Sequence, residues 1–147
     1  MKKFRFPLGS VITLRRMREG ERREAFADAV HKYVGAEEAL AAVDRQVADL
    51  EDIIAAERVL GCNAAAQVSF LHALADERER RVKAASLVDQ AKAAMEQARL
   101  AWLEATRELR LVEILEGKAR ATHRFATERE EQALLDDRTN ALFARAS

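Results

Sequence analysis

The sequence predicts an all-α fold: a long two-helix antiparallel coiled-coil hairpin whose second helix overhangs the first at the C-terminus. Three observations lead there. Of the 147 residues, 34% are charged and only 5% aromatic, which leaves too little bulky apolar surface for a compact globular core. Glycine occurs five times and proline once, whereas alanine, leucine, glutamate and arginine, which suit long helices, dominate. Finally, apolar residues recur at alternating spacings of three and four in both halves of the chain, the period of a coiled-coil seam.

Helix 1 is expected to run from about residue 7 to 60. Pro7 has the backbone angle of a first helical turn, and its missing N–H costs nothing there. Gly20 and Gly35 weaken this stretch by ~1 kcal/mol each relative to alanine without ending it. The turn is expected at residues 61–63, where Gly61 suits a helix C-terminus and Asn63 the N-cap of the next helix. Helix 2 then runs from about 64 to 143, and the whole of 1–147 forms one coiled-coil domain.

The first seam is Phe26, Ala29, Tyr33, Ala36, Leu40, Val43, Val47, Leu50 and Ile54. The second follows Phe70, Leu74, Glu77, Arg81, Ala84, Val88 and Ala91, and continues through Met95, Ala98, Trp102, Ala105, Leu109 and Val112. An antiparallel hairpin turning at Cys62 sets Tyr33 against Ala91, Phe26 against Ala98, Leu40 against Ala84 and Val88 against Ala36, so that large and small side chains alternate. Nearer the turn, Ile54 meets Phe70 and Leu50 meets Leu74. Leu8 falls opposite Glu116, so helix 2 from Thr122 to Ser147 has no partner in this register.

Two stretches interrupt the apolar seam. Glu77 and Arg81 face Val47 and Val43, while Arg15, Glu19 and Arg22 face Leu109, Ala105 and Trp102. Long stems lie along apolar surface with their heads in water, and Arg22 can stack on Trp102. These breaks read either as register control or as places where the pairing is loosened for a partner. Asp76–Arg80, Glu77–Arg81 and Glu79–Lys83 are acid-to-base pairs at four-residue spacing, which support an exposed helix by ~0.2–0.5 kcal/mol each.

Nothing in the sequence carries catalytic chemistry. His31, His72 and His123 are far apart with no metal-ligand spacing beside them and read as helix-surface residues. No glycine-rich phosphate loop or nucleophile elbow is present, and neither cofactor nor metal is expected. Cys62 is the single cysteine, which excludes an intrachain disulfide and suits a reducing compartment. The basic start of the chain lacks the apolar run of a signal peptide, and no stretch is apolar enough to span a bilayer. A cytoplasmic protein without membrane insertion is expected.

Charge is uneven despite a formal net charge of zero. Residues 1–23 carry eight basic and two acidic side chains, and residues 24–60 carry three basic and nine acidic. The cluster Arg15, Arg16, Arg18, Arg22 and Arg23 is interleaved with Glu19, Glu21 and Glu24 and has no aromatic stacking platform. That composition argues against nucleic acid and leaves a solvated face or an acidic protein partner.

Both ends of the chain carry a family resemblance. Phe4-Arg5-Phe6-Pro7-Leu8, followed by Val11, Ile12, Leu14 and Arg15-Arg16-Met17-Arg18-Glu19, resembles the start of the FliJ family of flagellar type III export proteins. Glu128-Arg129-Glu130-Glu131-Gln132-Ala133-Leu134-Leu135-Asp136-Asp137 is similar to the polar tail of that family. The resemblance implies a non-catalytic stalk of the export apparatus, peripheral to the inner membrane, with three partners: the hexameric export ATPase, the cytoplasmic part of the membrane export gate, and export chaperones. Carried over by position, the ATPase contact uses Arg15, Arg16, Arg18, Arg22 and Arg23 with Leu134 and Leu135. The gate contact uses Val43, Val47, Leu50 and Ile54 on helix 1 with Phe70, Leu74, Glu77 and Arg81 on helix 2. These gate positions are also seam positions, so either they act through the hairpin's stability or the hairpin opens there. A virulence type III secretion stalk and a generic coiled-coil scaffold share the same sequence pattern.

Overall fold

The computed structural model describes residues 2–61 and 63–147, and the turn expected at Cys62 falls outside them. The described residues form two helices, α1 (Gly9–Leu60) and α2 (Ala64–Ala146), and no strand. The fold is an all-α helical hairpin. The seam follows the heptad pattern: Ile54 and Leu74 are buried, and Phe26, Tyr33, Leu40, Val47, Val88 and Met95 are half-buried.

Local chemistry fixes the helix ends. α1 begins at Gly9, two residues later than Pro7 suggests, because the Gly9 N–H bonds the Phe6 carbonyl at 3.1 Å and closes a turn first. The first α-helical bond follows, from the Ile12 N–H to the Leu8 carbonyl at 3.0 Å. At the other end of α1, Gly61 takes φ +79°, a left-handed conformation that a Cβ disfavours and that terminates helices. Asn63 is the N-cap of α2: its Oδ1 accepts the Ala66 N–H at 2.8 Å, and its carbonyl accepts the Gln67 N–H at 3.1 Å. The cap satisfies donors that the first turn leaves unpaired.

The chain divides into two units, each holding part of both helices: Arg22–Trp102, and the residues up to Glu21 together with Leu103–Ser147. In the first, Ile54 and Leu74 are 8% and 7% exposed. Phe26 stacks on Trp102 with ring centroids 5.6 Å apart and planes 16° from parallel. The sequence register put Phe26 against Ala98 and Arg22 against Trp102. Phe26 reaches the ring one helical turn beyond Ala98, and ring on ring removes more apolar surface from water than ring on alanine. In the second unit Ile12, Ala105 and Val112 are buried. Among the described residues no side chain is fully buried, as expected where two helices share one seam and every seam residue has solvent at its back.

The N-terminal unit holds a further feature. Residues 2–6 are not helical, yet they continue along α2. The Phe4 ring meets His123 edge-on at 5.4 Å, Arg120 lies 5.0 Å over the same ring, and His123 Nε2 is 3.1 Å from the Lys2 carbonyl. His123 is therefore a half-buried clasp rather than a surface histidine. The unpaired part of α2 also begins later than Thr122: Thr127 is the last residue that is not exposed.

Candidate functional site

The expected ATPase contact divides on inspection. Arg15 and Arg16 bridge α1 to α2, Arg15 through Glu108 and Arg16 through Glu113 at 3.9 Å. Arg15 lies along the seam with its side chain 29% exposed, so it ties the helices as well as adding charge. Arg18 is exposed, as is Arg22, which belongs with Arg23 to the other unit. Arg23 also has an interaction partner of its own. Leu134 and Leu135 stand 64% and 56% exposed, and Glu131, Leu134, Leu135 and Arg138 line a shallow surface depression. From Glu128 to Ser147 every residue is exposed. This is helix without a tertiary partner, carrying leucines that isolated helix formation does not require.

The expected gate contact falls in the seam. Ile54 and Leu74 are buried, and Val43, Val47, Leu50 and Phe70 are half-buried. The hairpin is closed here, so these six side chains hold α1 to α2. Glu77 is also drawn in, its side chain 17% exposed. One carboxylate oxygen accepts from Arg80 at 2.9 Å, and the other is buried without a hydrogen bond. Arg81 remains exposed and donates across to Asp44. Of the intrahelical pairs expected near it, Lys83–Glu79 forms at 3.4 Å. Arg80 turns to Glu77 instead of Asp76, and Arg81 leaves the helix face altogether, because a partner on α1 is within reach.

Sequence reasoning passed over the side chains on the outside of this region. Ile53, Val68 and Leu71 are 45%, 53% and 46% exposed. Leu71 lines a groove of about 340 Å³ with Glu51, Ala55, Arg58 and Arg78 above the buried Ile54 and Leu74. Arg78 bonds Glu51 across the groove at 2.9 Å. The signal was available, since Ile53 and Leu71 adjoin seam positions, but a three-four template discards apolar residues one step out of phase.

Among the described residues no group of histidine, cysteine, aspartate or glutamate side chains could hold a metal ion, and no helix is long and apolar enough to cross a membrane. His31 and His72 are exposed. The arrangement offers surfaces for other proteins: a groove beside a closed seam, and an unaccompanied helical end.

No curated protein and no solved structure matches the chain. The family described as Flagellar FliJ protein matches residues 4–147, so the match spans the Phe4 clasp, both helices and the exposed tail alike: the chain belongs to the FliJ family of flagellar export-related proteins, which are of a non-catalytic stalk type.

Proposed function

We propose that this protein is the stalk of a flagellar type III export ATPase, binding the ATPase ring with the unaccompanied end of α2 and handing contacts to the export gate and to export chaperones along the hairpin. The observation that carries this reading is the complete exposure of residues 128–147. Most helical stability in proteins comes from packing an apolar face, and Leu134, Leu135 and Leu142, which lie within one sector of about 100° of the helix, supply such a face. Arg18 adds a cation that remains open to a partner on the N-terminal unit, whereas Arg15 and Arg16 contribute mainly by holding α1 to α2.

For the gate, the seam residues Val43, Val47, Leu50, Ile54, Phe70 and Leu74 act through the hairpin they hold closed. The groove-lining Leu71 and the neighbouring Ile53 make the contact. Glu77 and Arg81 shape its edge.

Co-purification with the cognate export ATPase tests the tail. The full chain should retain the ATPase, and a chain truncated after Thr127, which keeps the Phe4–His123 clasp, should lose it. A Leu134→Asp variant of the full chain should weaken retention in the same direction. Equal retention by all three would remove the tail from the ring contact.

A further inference from the structure

The seam of the Arg22–Trp102 unit passes through a layer to which α2 brings little apolar surface. Between Leu74 and Val88 the α2 residues withdrawn from full exposure are Glu77, Ala84 and Ala85. Val82 and Leu87, the two large apolar side chains of that stretch, are 67% and 59% exposed. On α1, by contrast, Val43 and Val47 are both half-buried. Over about three and a half helical turns, two valines of α1 meet the stem of a glutamate, that of an arginine and two alanines.

What joins the helices at this level lies on the outside. Arg81 donates to Asp44 and Arg78 donates to Glu51 at 2.9 Å, so the two cross-helix ion pairs bracket Val47 on α1. All four side chains are between 45% and 59% exposed, and pairs of that kind contribute little and are screened by salt. The inside works against closure. Glu77 Oε1 accepts from Arg80 at 2.9 Å, but Glu77 Oε2 is buried with no hydrogen bond, which costs free energy that water reaching it would recover.

We propose that the hairpin opens locally at the Glu77 layer, admitting water between α1 and α2 and uncovering Val43 and Val47, while the layer of Ile54 and Leu74 stays closed. Opening here hydrates the orphaned carboxylate oxygen and breaks only exposed ion pairs. At Ile54 and Leu74, 8% and 7% exposed, the same motion would expose apolar side chains with no such return. Local openings are drawn from segments with few buried apolar contacts, and this is such a segment. The opening is a property of the free chain and does not rest on the ATPase or gate reading.

Alkylation of an introduced thiol by iodoacetamide, a neutral reagent, tests the opening in the full chain carrying Cys62→Ala. The Val47→Cys thiol should react roughly two- to tenfold faster in about 1 M salt than at low salt, as both ion pairs are screened. The Ile54→Cys thiol should react slowly at both. Arg81→Gln should also speed the Val47→Cys reaction at low salt: it removes the pair with Asp44 and keeps part of the stem, and loss of a nearby cation would by itself slow a thiolate reaction. Glu77→Leu should slow the Val47→Cys reaction by about tenfold, and in the otherwise unchanged chain it should raise the urea midpoint. A Val47→Cys thiol indifferent to salt and to Arg81→Gln overturns the proposal. So does an Ile54→Cys rate that rises in step with it, because the opening is then not local, or a Glu77→Leu chain with no gain in stability.

Discussion

Gly20, Gly35 and Gly117 lie within helices, and a Cβ built at any of them meets nothing within 4 Å. They therefore give up helix stability with no close approach to justify it. Gly35→Ala is expected to raise unfolding stability by ~1 kcal/mol in urea titrations followed by circular dichroism. Gly61 is the opposite case: at φ +79° a Cβ is strained, so Gly61→Ala should lower stability by a similar ~1 kcal/mol. Tyr33, the single tyrosine of the chain, donates its hydroxyl hydrogen bond to Glu37 Oε1 at 2.6 Å. That bond to the carboxylate, reinforced by desolvation and by the carboxylate charge, holds the phenol above its usual pKa. The neutral phenol is the favoured form in the folded state, so the contribution is complete below the ordinary tyrosine value and lost as pH rises through the higher one. Phenolate absorbance should therefore appear at higher pH in the wild type than in Glu37→Gln, and coincident curves would remove the interaction.

At the scale of elements, the apolar seam rather than the ion pairs holds α1 to α2. Arg78–Glu51 and Arg16–Glu113 join well-exposed side chains and are worth ~0.2–1 kcal/mol each. Ile54→Ala and Leu74→Ala, at the best-buried positions of their unit, should each cost ~2–4 kcal/mol, whereas Leu71→Ala should cost under ~0.5 kcal/mol. Measuring gate binding on the same three variants separates seam from surface. Leu71→Ala should weaken binding while leaving the melting curve in place. If only the Ile54 and Leu74 variants lose binding, and in proportion to their lost stability, the groove has no role.

The seam itself was legible in the sequence because a two-helix pairing has one period and few competing arrangements. Every apolar position from Phe26 to Ile54 that the three-four spacing selects is withdrawn from full exposure. What periodicity does not encode is which side chain meets which. Alanine-rich layers leave room for a ring to reach beyond the residue opposite it, and Phe26 stacks on Trp102, one turn beyond Ala98. The clasp of Phe4 on His123 was hidden for another reason: non-helical residues carry no period at all. Apart from Arg81, the expected gate positions on the seam are buried or half-buried, since the three-four spacing that selects them also selects a core.

For the molecule as a whole, membership of the FliJ family over residues 4–147 makes association with the flagellar export apparatus the work to be explained. Two parts of α2 divide that work. As far as Thr127 the helix is accompanied, first by α1 and then by the N-terminal strap, and its seam is closed. Beyond Thr127 every residue is exposed, and the helix carries leucines, a phenylalanine and a net acidic stretch whose contacts, Arg124–Glu128 and Gln132–Asp136, lie within α2 itself. Hydrogen exchange of dilute full-length protein, with and without the export ATPase, tests this division most directly. The account predicts that amides from 128 to 147 exchange fast in the free chain and slow when the ATPase is added, while those around Ile54 and Leu74 are slow throughout. Protection confined to the Ile54–Leu74 region on adding ATPase, with the tail still exchanging freely, would contradict it.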